Sequence, residues 1–210
     1  MRNRLAVLAG VYAAAPTGVA DGITLPVTVW ENGQLIDERA AHRVRTFKVQ
    51  GKKKAAALAS GTEILYLPAQ FPTLESVNVY NGWFPALSRG LQLVSAFANT
   101  AVKTPVGERV VDFVKARSIG PAGGPDAAER ARTRTHAVAV ARDGSGAPLA
   151  EVHREGPSIY DITGELMAWA GHQLARGRGR TPGVVGPIEA FGIDALTHGC
   201  AEIGLTRSTP

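Results

Sequence analysis

Apolar and polar residues alternate with a period of two in the first part of the chain. Between residues 23 and 31, the apolar positions are Ile23, Leu25, Val27 and Val29. This period predicts a half-buried strand. Asn32 and Gly33 follow, a pair that favours the positive φ angles of a tight hairpin turn, so we expect a returning strand from Gln34. Segments 44–50 and 74–80 predict two further strands.

The sequence does not decide between helix and strand for two short segments among these strands. Residues 53–58 read Lys-Lys-Ala-Ala-Ala-Leu, which has helical propensity but lies in a run of predicted strands. Residues 63–68 are equally short. Glu63 stands there beside apolar residues and is either a partly buried carboxylate with a working pKa or a structural one.

The period changes to 3.6 after residue 86, which predicts amphipathic helices at 87–97 and 106–114. A strand at 133–142 follows, with Val138 and Val140 on one side and alanines on the other. Residues 143–146 predict a hairpin turn into a strand at 149–155.

Two helices complete the chain. We expect the first to begin at Asp161 or Thr163 and to end at Gly177. The second ends at Gly204, with Leu205 as the apolar contact of a Schellman motif. The order of strands, helices, strands and helices predicts an α+β fold with a mixed, largely antiparallel sheet and helices packed on one face. Residues 1–210 are expected to form a single domain.

Composition narrows the class of protein. The chain has 210 residues and one cysteine, which excludes an intramolecular disulfide and a multi-thiolate zinc module, and a cytoplasmic location is expected. A net charge of +5 raises the question of nucleic acid. The basic residues, however, fall into four clusters (43–48, 52–54, 130–134 and 176–180) with acidic residues interleaved, so we expect no nucleic-acid binding.

The first twenty residues could mimic a secretory signal, with Arg2 and Arg4 ahead of a weakly apolar stretch at 5–15 and small residues at 18–20. Gly10 and Tyr12 dilute that stretch. No apolar run approaches the ~18 residues of a membrane helix, so we expect no membrane span.

Several well-known reactive motifs are missing from the sequence. No G-x-G-x-x-G links a strand to a helix, and no Walker-type phosphate loop is present. Ser145 and Ser158 do not fit the nucleophile elbow. His198 and Cys200 diverge on a helix and lack a second ligand pair, so no metal site is expected. The catalytic residues are therefore unknown.

Motifs of glycine, proline and apolar residues mark the last third of the chain, at 160–163, 174–177, 182–192 and 200–205. This third resembles the end of saccharopine dehydrogenase-like oxidoreductases. The hairpin that precedes it also resembles that family, and so does segment 9–12, which matches the passage from the nucleotide-binding half into the second domain. Such motifs indicate a fold family more than a reaction.

The resemblance implies an N-terminal Rossmann domain for NAD(P), followed by a catalytic or substrate domain that packs against a partner subunit. This chain matches only the second domain. It is therefore expected to be a substrate-binding and dimerisation domain, to form a homodimer through an open sheet face, and to bind no cofactor by itself. The Rossmann domain is either missing or supplied by another polypeptide. The alternative is a non-catalytic module that binds a small ligand or a partner.

Three residues are the candidates for binding a small-molecule substrate. If the resemblance holds, the loop at 12–22 and the turn at 81–83 border the nucleotide domain, because substrate sites gather at domain interfaces. Tyr12, Thr17 and Trp83 are the side chains expected there. The alternative for Tyr12 and Trp83 is that they cap the hydrophobic core.

Overall fold

A computed structural model describes residues 26–82 and 124–210 in full, together with the backbone of Asn3–Tyr12. Its strands are β1 (Asn3–Tyr12), β2 (Pro26–Glu31), β3 (Gln34–Arg39), β4 (Val44–Val49), β5 (Lys52–Ala59), β6 (Leu74–Asn81), β7 (Arg134–Arg142), β8 (Pro148–Gly156) and β9 (Thr206–Arg207). The helices are α1 (Glu63–Gln70), α2 (Ala127–Ala131), α3 (Ile159–Ala175), α4 (Pro187–Phe191) and α5 (Ile193–Glu202). This content confirms the α+β class.

Strand β1 lies in the middle of the sheet. It pairs in parallel with β6, where Leu8 faces Tyr80, and antiparallel with β7, where Leu8 faces Val138. The sequence analysis missed this strand, because its residues form an almost continuous apolar run. A strand with neighbours on both sides often lacks alternation, since both of its faces can be covered.

Two different hairpins share the other edge of β6. Strand β2 pairs with the first part of β6, where Trp30 faces Val77, and β5 pairs with the last part, where Leu58 faces Tyr80. The hairpin of β4 and β5 therefore leaves the plane of the sheet. At its far end, Gln50 is hydrogen-bonded to Glu155 on β8. The hairpin consequently lies across one face of the sheet.

The main core is enclosed between this hairpin and the sheet. Phe47 of β4 packs on Tyr80 of β6 with ring centroids 5.7 Å apart. The other buried members of the cluster are aliphatic: Val27, Val29, Ala40, Val49, Ala56, Leu58, Val138 and Val140. A smaller cluster lies on the opposite face, where Ile64 of α1 packs on Val77 and Val79.

Both ambiguous segments are now assigned. Residues 53–58 belong to β5, because the tight turn at Gln50 and Gly51, with φ angles of 50° and 72°, pairs them with β4. Hairpin pairing therefore overrides the helical propensity of the Lys-Ala run. Residues 63–68 are helical and form most of α1. The turn predicted at Asn32 and Gly33 is confirmed by φ angles of 53° and 81°.

The start of α3 differs from the prediction. Ser158 is its N-cap, and the hydroxyl oxygen accepts a hydrogen bond from the backbone N–H of Tyr160 at 3.3 Å. Neither Asp161 nor Thr163 caps the helix; Asp161 lies in its first turn and accepts a hydrogen bond from Arg130 at 2.9 Å. The helices predicted at 87–97 and 106–114 lie outside the described residues. None of the described helices is long and apolar enough to cross a membrane.

The end of α5 confirms the predicted Schellman motif. Gly204 has a φ of 82°, its N–H donates to the carbonyl of Ala201, and the N–H of Leu205 donates to the carbonyl of Cys200 at 2.8 Å. Both carbonyls belong to the last turn of α5, where the regular i→i+4 pattern of the helix ends. The glycine is therefore required by backbone conformation and not by lack of space.

Two glycine-to-alanine substitutions should change stability in opposite directions. Gly204→Ala places a Cβ at positive φ and should lower the free energy of unfolding by about 1 kcal/mol. Gly164→Ala, inside α3 with no atom within 4 Å of the added Cβ, should raise it by about 0.4–1 kcal/mol. Urea unfolding followed by circular dichroism measures both. A change of the same sign in both variants would contradict this account of the helix end.

Candidate functional site

The sheet has two faces of different chemistry, which we name by their residues. The inner face carries Tyr80 of β6 with Val138 and Val140 of β7, and it is covered by the β4–β5 hairpin. The outer face carries Val79 of β6 and Ala139 of β7, which both pair with Val7 of β1. His136 of β7 and Glu155 of β8 lie on the inner face, because they alternate in register with Val138 and Val140.

A group of polar residues, here called the polar cluster, occupies one end of the inner face. It consists of Gln50, Lys54, Arg134, His136 and Glu155. His136 of β7 lies directly opposite Glu155 of β8, and its Nδ1 is 3.8 Å from Oε2 of that carboxylate.

Glu155 accepts hydrogen bonds from two other members of the polar cluster. Arg134 donates to its Oε1 from Nε at 3.2 Å and from Nη2 at 3.1 Å. Gln50 donates to its Oε2 from Nε2 at 3.0 Å. The carboxylate thus ties β8 to β7 and to the turn of the β4–β5 hairpin.

Burial and neighbouring charges set the protonation states of the cluster. Burial lowers the pKa of His136; Glu155 opposes this shift, while Lys54 and Arg134 add to it. For Glu155, burial raises the pKa, but the hydrogen bonds from Gln50 and Arg134 and the charge of His136 outweigh it, so the net shift is downward. At neutral pH the site therefore holds a neutral imidazole beside an ionised carboxylate.

Further polar side chains are buried on the same face. His153 is 5% exposed and shares a 2.7 Å hydrogen bond with Glu151. Asn78 of β6 is 8% exposed, and its Oδ1 has no hydrogen-bond partner within the described part of the chain. An unsatisfied buried acceptor costs free energy, so its retention needs an explanation. A ligand donor is one such explanation.

This arrangement suits proton transfer near a small anion. A neutral imidazole can accept a proton from a bound molecule, and the carboxylate beside it stabilises the imidazolium that forms. Lys54 and Arg134 supply positive charge at the same end of the sheet, and the side chain of Arg134 is 59% exposed. His136 itself is only 6% exposed, so a ligand would approach it past the more exposed members of the cluster.

Of the three substrate-binding candidates from the sequence, the structure describes only the backbone of Tyr12. Tyr12 ends β1, and its backbone pairs with Arg134 of the polar cluster. Because β1 and β6 are parallel neighbours, residue 12 and Asn81 lie at the same edge of the sheet. Thr17 and Trp83 lie outside the described residues. The role of all three in substrate binding stays a prediction.

The sequence analysis named neither His136 nor Glu155 as a site residue and so missed their pairing. The predicted hairpin between β7 and β8 was the available signal, because its register sets which residues face each other. The register shifts between Ala141 and Arg142, and a count that ignored this irregularity would place Glu155 on the wrong face. The bulge depends on the folded turn and leaves no clear mark in the sequence.

The basic clusters of the sequence are partly neutralised by ion pairs. Arg43 donates to Glu38 at 2.8 Å, and Arg130 donates to Asp161 at 2.9 Å. Across the described residues, no group of three or more His, Cys, Asp or Glu side chains could hold a metal ion. Cys200 is half-buried, and burial raises the pKa of its thiol.

The pH dependence of stability should report on His136. The unfolded chain binds the histidine proton near pH 6.5, whereas the folded state binds it only at lower pH. The free energy of unfolding should therefore fall as pH is lowered from about 6.5 towards the folded-state pKa, with a slope of at most about 1.4 kcal/mol per pH unit. His136→Gln should flatten this slope in urea unfolding at pH 7.5, 6.5 and 5.5.

A matched control is His42→Gln, because the side chain of His42 is 57% exposed. This variant should retain the slope of the unchanged protein. Equal slopes in the His136 variant and the unchanged protein would contradict a lowered pKa of His136 in the folded state. The loss from Glu155 occurs separately, below its ordinary pKa of about 4.5.

Comparison with solved structures shows a distant likeness of fold. No protein-family model matches the chain, and no curated protein is similar enough in sequence to match it. A solved structure of apo histidine-tagged saccharopine dehydrogenase (L-Glu forming) from Saccharomyces cerevisiae is similar over 100% of this chain and 67% of that one. The two share 13% sequence identity with a TM-score of 0.47.

Proposed function

We propose that this chain is the substrate-side domain of an NAD(P)-dependent oxidoreductase of the saccharopine dehydrogenase-like kind. Its substrate would be a small anionic molecule held at the sheet edge that carries the polar cluster. The observation that carries the proposal is the buried His136 with its Nδ1 3.8 Å from the Glu155 carboxylate, where the charges of Lys54 and Arg134 also act on it. The motifs at 160–205 support the choice of family by sequence resemblance alone.

Hydride transfer to or from a carbon that bears oxygen or nitrogen requires a proton acceptor or donor beside that atom. When bound, the nicotinamide supplies or takes the hydride. His136 would hold the proton at the reacting oxygen or nitrogen, and Glu155 would stabilise the charged imidazole. Lys54 and Arg134 would orient an anionic group of the substrate.

The nicotinamide would be held by residues beyond this chain. A dinucleotide site needs a glycine-rich turn between a strand and a helix, because backbone amides must approach the pyrophosphate closely. The sequence has no such turn. We therefore propose that a separate domain or polypeptide provides the nucleotide site and meets this chain at the edge where β1 and β6 end.

The decisive experiment measures the oxidation of NADH or NADPH by the native protein that contains this chain, purified with any nucleotide-binding partner. Small 2-oxo acids serve as hydride acceptors. His136→Gln should lower turnover about 10²–10⁴-fold, because the proton step loses its acid or base. Trp83→Ala should also lower turnover while leaving nicotinamide binding unchanged.

Two controls separate this outcome from misfolding. His42→Gln should leave turnover unchanged, since that exposed imidazole lies outside the polar cluster. The isolated chain should bind NAD and NADP no more tightly than about 10 μM by calorimetry, which corresponds to about −7 kcal/mol. Tighter binding would contradict the assignment of the nucleotide site. A native protein without nicotinamide-dependent activity would favour the non-catalytic binding module instead.

The outer face supports the proposal that the chain forms a homodimer. Towards the hairpin turn of β7 and β8 this face carries small apolar residues, where Ala139 pairs with Val152 and Ala141 with Ala150, and Arg154 opposite Ala137 borders them. Val152 is 41% exposed. A shallow apolar face of this kind is stabilised when a second copy covers it, because a symmetric contact buries the same residues twice.

Light scattering tests the homodimer. The unchanged chain should have about twice the 22.0 kDa mass of one chain, and Val152→Lys should shift it towards 22.0 kDa. Val184→Lys is the control, because the side chain of Val184 is fully exposed in a loop and belongs to neither β7 nor β8. A mass of 22.0 kDa for the unchanged chain at all concentrations would overturn the proposal.

A further inference from the structure

A second concave site lies among the C-terminal helices, away from the polar cluster. Helices α3, α4 and α5 enclose a cleft of about 450 Å³, here called the helix cleft. Small-molecule sites span roughly 300–1,000 Å³, so the helix cleft has room for a compact ligand. It shares no residue with the polar cluster, and the proposed function does not use it.

One face of α3 and one face of α5 line the helix cleft. On α3 the lining residues include Trp169 and His172, and Arg176, the C-cap of α3, follows at helical spacing. His198 contributes from the facing side of α5. Gly199 allows this close approach, because a Cβ at that position would collide with the indole ring of Trp169.

Two aromatic rings line the helix cleft. The rings of Trp169 and Phe191 meet edge to face, with centroids 5.2 Å apart. The Nε1–H of Trp169 is buried and has no hydrogen-bond partner in the described part of the chain.

Positive charge is concentrated at the end of α3. Gly177 has a φ of 68°, and the N–H of Arg178 donates to the carbonyl of Gln173 at 3.0 Å, which closes the helix in a Schellman motif. The turn brings Arg178 back beside the helix, where its Nη1 donates to the side-chain oxygen of Gln173 at 3.2 Å. Arg176 lines the same side. The single carboxylate in the lining, that of Glu202, lies 3.2 Å from Nε2 of His198.

We propose that the helix cleft binds a small planar apolar group that carries an anionic substituent. The ring packs against Trp169 and Phe191, while Arg176 and Arg178 bind the anion. Guanidinium groups bind carboxylate and phosphate alike through paired N–H donors, so the shared chemistry is an aromatic ring with one of these two anions.

Calorimetric titration of the full chain tests this site with defined probes. Phenylacetate and phenyl phosphate present the same ring with a carboxylate or a phosphate, and the tighter of the two identifies the preferred anion. At least one should bind with a dissociation constant of about 5 mM or lower, a modest efficiency for about ten non-hydrogen atoms. Inorganic phosphate and benzyl alcohol, which each lack one half of the chemistry, should bind at least tenfold more weakly.

Variants locate the binding. The double change Arg176→Gln and Arg178→Gln should weaken binding of the tighter probe at least tenfold, and Phe191→Leu should weaken it as well. Arg132→Gln and Phe71→Leu are the matched controls, since Arg132 is exposed, Phe71 is 50% exposed and neither lines the helix cleft. A melting temperature within a few degrees of the unchanged protein shows that each variant is folded.

Three results would overturn the proposal. They are an absence of binding by both aromatic anions at 20 mM, equal binding of inorganic phosphate, and equal loss of binding in the control variants. Because the polar cluster is untouched in every variant, nicotinamide-dependent turnover of the native protein should remain unchanged. The proposed function and this site can therefore fail independently.

Discussion

The backbone pairing of β1 with β6 and β7 is the interaction on which the rest of the fold depends. It joins residues 3–12 to strands some seventy and one hundred and thirty residues further along the chain. Without β1, β6 with its two hairpins and β7 with its partner β8 would have no common neighbour. The same pairing places the end of β1, Asn81 and Arg134 at one edge of the sheet, where the proposed substrate site lies.

The shared edge of β6 creates the inner face. Because β2 and β5 pair with successive parts of the same edge, the β4–β5 hairpin must fold over the sheet, and Phe47 can pack on Tyr80. The hairpin covers apolar residues in the middle and reaches Glu155 with Gln50 at its tip. Burial of His136 and the lowered pKa that follows from it are thus consequences of strand topology.

Two helices of the C-terminal region end in a Schellman motif at a glycine, but the chain that follows has a different role in each case. At Gly204 the Schellman motif ends α5 and leads the chain into β9, which pairs with β8. At Gly177 the same motif turns the chain so that Arg178 lies against Gln173, beside Arg176. A local backbone requirement therefore also places two cationic side chains next to the aromatic rings of the helix cleft.

Local chemistry in the sequence determined the turn at Asn32 and Gly33, the helix end at Gly204 and the α+β class, because each depends on residues a few positions apart. The tertiary structure alone decided that residues 53–58 form a strand and that β1 is central. It also decided that His136 faces Glu155 across a bulged hairpin. These features depend on partners distant in the chain, and pairing and burial there outweigh local propensity. The secondary structure of residues 53–58 and the pairing of His136 with Glu155 are therefore determined only when the whole sheet has formed.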